Sequence, residues 1–585
     1  MGTHGSPGTS PVVAGGVAGL LAGAAGVAAA EAVAALLTGV TSPLFAVANR
    51  AVDAAPRPVK EWAIETFGTA DKPVLIGGVV ATVTVLAVVA GALGARRPRL
   101  AVGAFLVLST VSAAAALTDR AATAGAAPRL LPVLALVAVG LGSLLLLLRA
   151  LRTPVAPTDR EGSAATSSPG PATGRPSPAT ASAEPGATGS GTTGSGTTGS
   201  GTVETLEGGK PRLRHPSHLP HRVDGDDLPP AFDRRAFLKA AVAVGAVAAA
   251  GGVTSRMFGG AEAALARSAL DLPTPASAAP PLAPGASLDV PGITPYLTSN
   301  RDFYRVDTAL EVPDVPIDGF VLRIHGMVDR ELELTYEDLL ARRMVERRIT
   351  LTCVSNPVGG EYVGNATWIG IPVGDLLREA GVRDGADAVR STSADDFTAG
   401  TPLPVLLDEE REALVAIGMN GEPLPLEHGF PVRMVTPGLY GYVSATKWLV
   451  DLEVTRFADF KAYWTTRGYA AEAPIKTSSR IDVPRSFAQL GAGRNAVAGV
   501  AWSQDRGIAK VEVSVDGGDW QEARLAEQDN VNTWRQWVLD WDAEPGNHTL
   551  EVRATDATGY TQTAERAPIA PDGSTGWDSV NVTVS

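Results

Sequence analysis

Residues 350–360 have the sequence TLTCVSNPVGG and contain Cys353, the single cysteine of the 585-residue chain. The residues before Cys353 predict a β-strand, and the Asn-Pro and Gly-Gly pairs after it predict a loop. This arrangement would present the thiol at the mouth of a loop, where a ligand could reach it. A free cysteine is otherwise most often a small buried hydrophobic residue, so this segment alone leaves both interpretations open.

Cysteine content and charge exclude several classes of protein. One cysteine cannot form a disulfide framework, a CxxC zinc site, an iron–sulfur cluster or a c-type haem attachment. Residues 1–235 carry 19 Lys and Arg against 15 Asp and Glu, net +4, which leaves 30 against 47, net −17, for residues 236–585. Affinity for phosphate backbones comes from cations, so this acidic part predicts no nucleic-acid partner.

The first 150 residues have the composition of a membrane anchor. About 20 apolar residues are needed to cross a bilayer as a helix. Four stretches meet this requirement: 11–37, 73–94, 100–117 and 130–148. We therefore expect residues 1–150 to form a region of four transmembrane helices.

Arginines indicate the orientation of these helices. They follow the second and the fourth stretch, at Arg96, Arg97, Arg99, Arg149 and Arg152. The positive-inside rule places these ends, and with them the N-terminus, in the cytoplasm. Glu31 is either a functional carboxylate or one that snorkels to the interface. No histidine lies between His4 and His215, so these helices lack the paired imidazoles of a b-type haem site and are interpreted as an anchor.

Residues 151–232 are rich in Pro, Ser, Thr, Gly and Ala, and repeat the sequence GSGTT from Gly189. This composition predicts a disordered linker. The next segment, 233–256, begins DRRAFLK and continues with an apolar run. It is interpreted as a twin-arginine signal within the chain, with a fifth transmembrane helix as the alternative. Small residues at 276–279 would permit cleavage, and both interpretations place the following residues on the extracytoplasmic side.

The exported half has two patterns. Alternation at 320–325 predicts a strand, and short helices are predicted at 336–342 and 372–380, the second ending at Gly381. Later segments alternate as short strands separated by Gly and Asp turns, at 496–501, 508–515, 534–539, 548–554 and 580–584. We expect an α+β catalytic domain at 278–470 and a β-sandwich of immunoglobulin size at 475–585.

Further motifs lie downstream of Cys353. The sequence HGFPVR at 428–433 and the sequence GYVSATKW at 441–448 supply an imidazole, a guanidinium, a hydroxyl and an ammonium group. A guanidinium and an ammonium group suit a phosphate-bearing cofactor. Each residue taken singly is more often a surface charge or a satisfied loop residue.

Together these blocks resemble the molybdenum-cofactor domain of the sulfite oxidase family. The similar segments are NRDFYR at 300–305, CVSN at 353–356, WIGIP at 368–372, MNGEPLP at 419–425, HGFPVR at 428–433 and KW at 447–448. The sequences PDG at 571–573 and GWD at 576–578 are similar to the immunoglobulin-like dimerisation domain of that family. The resemblance runs from about residue 285 to the end of the chain.

The resemblance implies molybdenum bound by molybdopterin and a role for each matching residue. Cys353 would be the metal ligand, Arg433, Ser444 and Lys447 would hold the pterin phosphate, and His428 would hydrogen-bond the pterin. Tyr304 and Arg305 lie in the block that contacts the cofactor. Tyr469 falls where the family keeps an active-site tyrosine. Soft thiolate is a suitable ligand for such a metal.

The sequence departs from the family at two substrate-binding positions. Members that oxidise sulfite gather arginines around the oxyanion, and the corresponding positions here are Val306, one residue from Arg305, and Val358. A dianion would bind poorly without these cations. The resemblance therefore implies two-electron oxygen-atom transfer on a sulfite-like sulfur substrate, with reduction of sulfoxides such as oxidised methionine as the alternative. A non-enzymatic alternative is an exported binding module with a degenerate cofactor domain.

The resemblance also predicts partners. A homodimer through the C-terminal domain is expected. Because this chain has no second redox centre built from cysteines, electrons are expected to pass to or from a separate electron-transfer protein or a quinone-linked carrier. The predicted location is the cell membrane, as a multi-pass protein with its catalytic domain on the extracytoplasmic side.

Overall fold

A computed structural model describes residues 11–152, except for 38, 57–58, 60–61, 63–65, 68–70 and 120–124, together with residues 234–258 and 261–585. The predicted linker lies outside the described residues from 153 onward, and so does Asp233 of the predicted twin-arginine segment.

The N-terminal part is a bundle of apolar helices. Among the described residues, four helices are long and apolar enough to cross a membrane: Pro11–Ala34, Lys72–Arg96, Pro98–Thr118 and Ala126–Arg152. They correspond to the four predicted stretches. The last contains a π-helical turn at Val137–Leu141. A further short helix, Pro43–Ala54, was not expected from the sequence; Ser42 caps its N-terminus, and it carries polar residues among its apolar ones.

The helix Arg234–Phe258 packs against this bundle. Its Val244 is buried in the same cluster as Ala14 and Ala18 of the first helix. Small residues allow the first two apolar helices to approach closely. A Cβ atom on Gly19 would lie 2.8 Å from the Cα atom of Gly91. Such contacts between small residues are typical of helix pairs in membranes.

A mixed sheet and an antiparallel sheet form the part of the chain from residue 320 to 455. Their strands are β1 Val321–Gly326, β2 Leu332–Thr335, β3 Val345–Thr352, β4 Val363–Pro372, β5 Ala388–Ser393, β6 Thr398–Pro402, β7 Leu414–Met419, β8 Glu422–Pro423, β9 Arg433–Val435 and β10 Leu449–Thr455. The first sheet has the order β2-β1-β10-β5-β6, and the second has the order β3-β4-β7-β8 with β9 paired to β7. Every residue of β7 is buried, as expected for a strand covered on both faces.

Short helices connect these strands: Tyr336–Leu340, Val373–Ala380, Leu403–Leu407 and Gly441–Ser444. The first begins with a capping box in which Thr335 and Asp338 bond to each other's backbone. The second ends at Gly381, which has a φ of 72°, as its sequence predicted. Apolar residues of this second helix and of both sheets share one core, to which Ile324, Ile371 and Leu376 belong.

Two further sheets face each other in the C-terminal part. Their strands are β11 Ser478–Val483, β12 Gln489–Leu490, β13 Gly493–Trp502, β14 Ile508–Val515, β15 Gln521–Glu522, β16 Arg524–Leu525, β17 Arg535–Ala543, β18 Gly546–Asp556 and β19 Asp578–Val584. The orders are β11-β13-β17-β16 and β12-β19-β18-β14-β15. Side chains of both sheets, including Trp537 and Leu550, form a common core. All five strands predicted in this part are present.

Strand β3 is bonded to the loop between β16 and β17 of the C-terminal part through a buried ion pair. Arg348 on β3 contacts Asp529 with two hydrogen bonds of 2.6 and 2.8 Å. The side chains are 10% and 4% exposed. Nearby, the Thr350 hydroxyl accepts a hydrogen bond from the backbone nitrogen of Trp534. The strand that leads to Cys353 is therefore held in place from both parts of the structure.

We predict that Asp529→Asn destabilises the folded chain by about 3 kcal/mol, because it leaves the Arg348 guanidinium buried without a charged partner. The shift of the denaturant midpoint, followed by tryptophan fluorescence, measures this effect. Asp540→Asn is the matched control, since its ion pair with Arg494 is largely exposed to solvent and should contribute little. Equal shifts in the two variants would contradict the prediction.

Candidate active site

A cavity of about 840 Å³, part of it open to solvent, lies between the end of β3, residues 303–308 and the segment that precedes β10. Six of the eight residues predicted for the site line this cavity: Tyr304, Cys353, His428, Arg433, Lys447 and Tyr469. They come from parts of the chain separated by up to 165 residues, as the numbers 304 and 469 show. The fold thus brings together most of the predicted set.

Cys353 directly follows β3, which confirms the predicted strand before the thiol. Its backbone nitrogen donates to Tyr362 O at 2.9 Å, so the residue is held at the end of the strand pair β3–β4. The side chain is 7% exposed, and the Ser355 backbone nitrogen lies 3.4 Å from its Sγ atom. Burial raises the pKa of the thiol. A bound metal cation would favour the thiolate in this position.

Two buried cations also line the cavity. Arg433 is 5% and Lys447 8% exposed. Arg433 donates to His428 O at 3.0 Å and lies over the ring of Trp368. Among the described residues, it has no carboxylate partner. Its charge would therefore be balanced by an anionic group in the cavity, since buried charges need partners.

Lys447 contacts a carboxylate that the sequence did not single out. Its Nζ atom donates to Asp307 Oδ2 at 2.6 Å and to Glu427 O at 3.0 Å. Burial lowers the pKa of Lys447 to about 8, although Asp307 opposes this effect. Burial lowers the pKa of Arg433 to about 10. Both groups remain cationic at neutral pH.

Gly429 allows the two cation-bearing segments to meet. Its φ is 110°, in the left-handed region that favours glycine. A Cβ atom at this position would lie 3.0 Å from Lys447 Cβ and 3.1 Å from Arg433 Cβ. A larger residue here would push the two cations apart.

His428 is buried as a neutral imidazole. Its Nε2 atom lies 2.7 Å from Asn300 O. Burial lowers the pKa of His428 to about 4. A neutral ring that donates from Nε2 to a carbonyl keeps Nδ1 as an acceptor. The residue can therefore accept a hydrogen bond from a cofactor amine or amide.

Several aromatic side chains also line the cavity. Tyr469 is 8% exposed, and its ring centroid lies 5.6 Å from that of Tyr442 and 5.3 Å from that of Trp464. Tyr304 stacks on Phe303 with a centroid distance of 5.2 Å. The cavity therefore combines one thiol, two cations and several aromatic rings.

Two of the predicted residues are not part of the cavity wall. The Ser444 hydroxyl lies 3.0 Å from both Leu439 O and Tyr440 O, so it satisfies backbone carbonyls of its own turn. The contact of Ser444 with a pterin phosphate stays a prediction. Arg305 is exposed for 36% of its side chain and pairs with Asp307 at 2.9 Å. It acts on the cavity through that carboxylate.

The structure adds residues that sequence reasoning missed. Asp307 and Asp395 line the cavity with Trp464. Burial raises the pKa of Asp395, and its Oδ1 accepts a hydrogen bond from the Phe397 backbone nitrogen at 3.2 Å. Asp307 could have been found from the sequence, because it is an acidic residue two positions after Arg305, in a block already assigned to the cofactor. No comparable pattern marks Asp395 or Trp464 in the sequence.

The two departures from the family pattern lie in different places. Val306 lines the cavity and is 39% exposed. Val358 is not part of this wall, because it lines a separate, smaller recess with Asn356 and Ser479. Val306 thus places an apolar side chain at a position where the family pattern has an oxyanion-binding cation.

The residues present fit a molybdenum cofactor. The cavity offers a soft thiol for the metal, two buried cations for a phosphate and a neutral imidazole acceptor. This fit rests on the chemistry of the side chains that the fold brings together.

We predict that acidification destabilises the cofactor-free chain through His428. Its folded pKa of about 4 lies below its ordinary value of 6.5, so the unfolded chain binds the proton more tightly. Stability is therefore lost as the pH falls from about 6.5 to about 4, by about 3 kcal/mol at pH 4. His428→Gln does not titrate and should lose less stability over this range in denaturant titrations.

His548→Gln is a control that should change the pH dependence of stability in the opposite direction. A hydrogen bond to Asp516 raises the pKa of His548, so this histidine adds stability at low pH, and the variant should lose more on acidification than the wild type. Identical pH profiles for His428→Gln and the wild type would contradict the assignment of a neutral buried imidazole.

Comparison with known proteins connects this cavity with a family. The family model described as oxidoreductase molybdopterin binding domain matches residues 309–464. Mitochondrial sulfite oxidase of Homo sapiens is 29% identical over 324 residues, which are 47% of this chain and 58% of that protein. Sulfite oxidase of Gallus gallus is 30% identical over 322 residues, 47% of this chain and 70% of that protein.

A third relative, the uncharacterized oxidoreductase YuiH of Bacillus subtilis (strain 168), is 35% identical over 148 residues, 25% of this chain and 71% of that protein. The matched segment covers somewhat more than half of the human relative, 58% of its length. These similarities show a molybdopterin-binding oxidoreductase domain in the chain, which counts against the alternative of a non-enzymatic binding module. The chain belongs to the sulfite oxidase family of molybdopterin-dependent oxidoreductases.

Proposed function

We propose that this chain is a membrane-anchored oxidoreductase that transfers an oxygen atom to or from a small sulfur-containing substrate, while two electrons pass in the opposite direction. The observation that carries the proposal is that Cys353, Arg433 and Lys447 line one cavity. The cavity combines a metal ligand with the cations that a phosphate-bearing cofactor needs.

Each residue has a role in this proposal. The Cys353 thiolate ligates molybdenum, Arg433 and Lys447 bind the pterin phosphate, and His428 accepts a hydrogen bond from the pterin. Tyr304 contacts the cofactor, and Tyr469 orients the substrate from the aromatic lining of the cavity. When bound, the cofactor supplies a two-electron couple and exchanges one oxygen atom with the substrate. The protein residues fix its position and limit the access of water.

A sulfite-like substrate is the first candidate. A sulfoxide such as oxidised methionine is the second, because Val306 presents an apolar surface where sulfite-oxidising members of the family have a cation. A neutral sulfoxide needs no such cation, whereas burial of a dianion does.

The partners follow from the same proposal. Electrons pass to or from a separate electron-transfer protein or a quinone-linked carrier. The two C-terminal sheets, over residues 475–585, are proposed as an immunoglobulin-like unit that forms a homodimer. The oxidoreductase domain spans residues 278–470, and residues 1–150 are the membrane anchor.

The proposed orientation places the N-terminus in the cytoplasm and the oxidoreductase domain outside. The four apolar helices are compatible with membrane spans. The arginines at their proposed cytoplasmic ends support this orientation. Residues 233–256 then direct export of the oxidoreductase domain as a twin-arginine signal, with a fifth span as the alternative.

We predict that the purified full chain contains about one molybdenum per chain and turns over one of two substrate classes. Sulfite with an artificial electron acceptor tests the first candidate, and methionine sulfoxide with a reduced viologen donor tests the second. Cys353→Ser is the matched control. It should lose molybdenum and turnover while retaining the circular dichroism spectrum of the wild type. Metal-free wild-type chain from molybdenum-replete cells would contradict the proposal.

We predict that an epitope tag after Ser585 is accessible to protease added outside intact cells. Changing Arg234→Lys and Arg235→Lys together should retain the tag inside if the segment is a twin-arginine signal, because that signal depends on the arginine pair. A fifth span would leave the tag outside. Arg212→Lys with Arg214→Lys is the control pair, and a tag that stays protected in the wild type would contradict the orientation.

A further inference from the structure

Residues from the helical bundle contact the edge of the cofactor cavity. Lys72, in the helix Asp71–Arg96, forms an ion pair with Asp307 and donates to Ala309 O at 2.8 Å. Asp307 belongs to the cavity wall. Lys72 lies far outside both the matched segment 309–464 and the region that resembles the family.

A second contact lies at another edge of the same cavity. Asp53, in the helix Pro43–Ala54, lies 3.5 Å from Arg467. Arg467 donates to Tyr463 O at 2.8 Å and lies between the wall residues Trp464 and Tyr469 in sequence. Two ion pairs therefore connect the bundle to the cavity-forming segment. One is at Asp307, near the start of this segment in the sequence, and the other is at Arg467, near its end.

The short helix that carries Asp53 is itself attached to the bundle. Asn49 donates to Asp119 at 3.1 Å, and Arg50 donates to the Thr118 hydroxyl at 3.0 Å. Asp119 directly follows the helix Pro98–Thr118. The contact at Arg467 is thus made by a segment held against the apolar helices.

The charge of Asp307 gives the first contact its importance. The carboxylate is 4% exposed and contacts Lys72, Lys447 and Arg305. Burial alone would raise the pKa of Asp307, but these three cations lower it well below its ordinary value, so the group is ionised. Asp307 competes with any phosphate for Lys447 and repels that phosphate. Lys72 offsets both effects by holding the other carboxylate oxygen.

We propose that the helical bundle docks on the cofactor cavity and that Lys72 is a positioning residue for the cofactor, because it neutralises Asp307 and leaves Lys447 to bind the cofactor phosphate. This inference rests on the proposed role of Lys447. Docking also gives the oxidoreductase domain a defined orientation, with the cavity edges near Asp307 and Arg467 against the anchor. Substrate and electron partner then approach from the edge that the bundle leaves open.

The test compares cofactor retention in the purified full chain. Lys72→Met should lose molybdenum and pterin on dialysis roughly tenfold faster than the wild type, the effect of about one charge-assisted hydrogen bond. Lys72→Arg should restore retention. Molybdenum is measured by mass spectrometry and pterin by fluorescence after oxidation, so neither readout depends on turnover.

A double variant isolates the mechanism. In an Asp307→Asn background there is no carboxylate charge to offset, so adding Lys72→Met should cause no further loss of cofactor. Lys510→Met is the matched control, because Lys510 also pairs with a carboxylate, Glu512 at 3.0 Å, but lies on β14 away from the cavity. Amide hydrogen exchange in β3 and β4 checks that the variants remain folded.

The outcomes separate this inference from the proposed function. If Lys72→Met retains the cofactor as well as a cofactor-loaded wild type does, this inference is overturned but the proposed function is not. Faster exchange throughout β3 and β4 in Lys72→Met would also overturn it, since the loss of cofactor would then reflect general destabilisation. Absence of molybdenum from the wild type would instead contradict the proposed function.

Discussion

Burial of positive charge beside a thiol is the constraint on which the cavity depends. Arg433 and Lys447 are 5% and 8% exposed, and both line the cavity that Cys353 also lines. Burying a cation is costly unless an anion or oriented dipoles compensate it. Asp307 compensates Lys447, whereas backbone carbonyls surround Arg433. This imbalance suits a site for an anionic cofactor better than a purely structural ion pair.

The scaffold holds these groups with strands from both the mixed sheet and the antiparallel sheet. Arg433 begins β9 of the second sheet, and Lys447 lies two residues before β10 of the first. Cys353 follows β3, which is held to the C-terminal part of the chain by the Arg348–Asp529 pair. The cavity lies where these segments end, so its geometry depends on how the sheets pack. A local change in any one strand would move only part of the cofactor-binding set.

Local sequence patterns predicted the regular elements well. The four apolar stretches correspond to helices, the strand before Cys353 is β3, and Gly381 ends the helix Val373–Ala380. These features depend on hydrophobic periodicity, chain length and backbone preference, which neighbouring residues determine. The helix Pro43–Ala54 was missed because it is short and carries polar residues among its apolar ones.

Some features of the candidate site are likewise local, whereas others depend on long-range contacts. By itself the sequence determined the residue types, a lone cysteine with an imidazole and two cations in blocks that resemble one family. Only the tertiary structure decided which of them face the cavity: Ser444 bonds to its own turn, Arg305 acts through Asp307, and Lys72 arrives from the helical bundle. Side-chain direction and contacts between distant segments depend on packing across the whole fold, which no local pattern encodes.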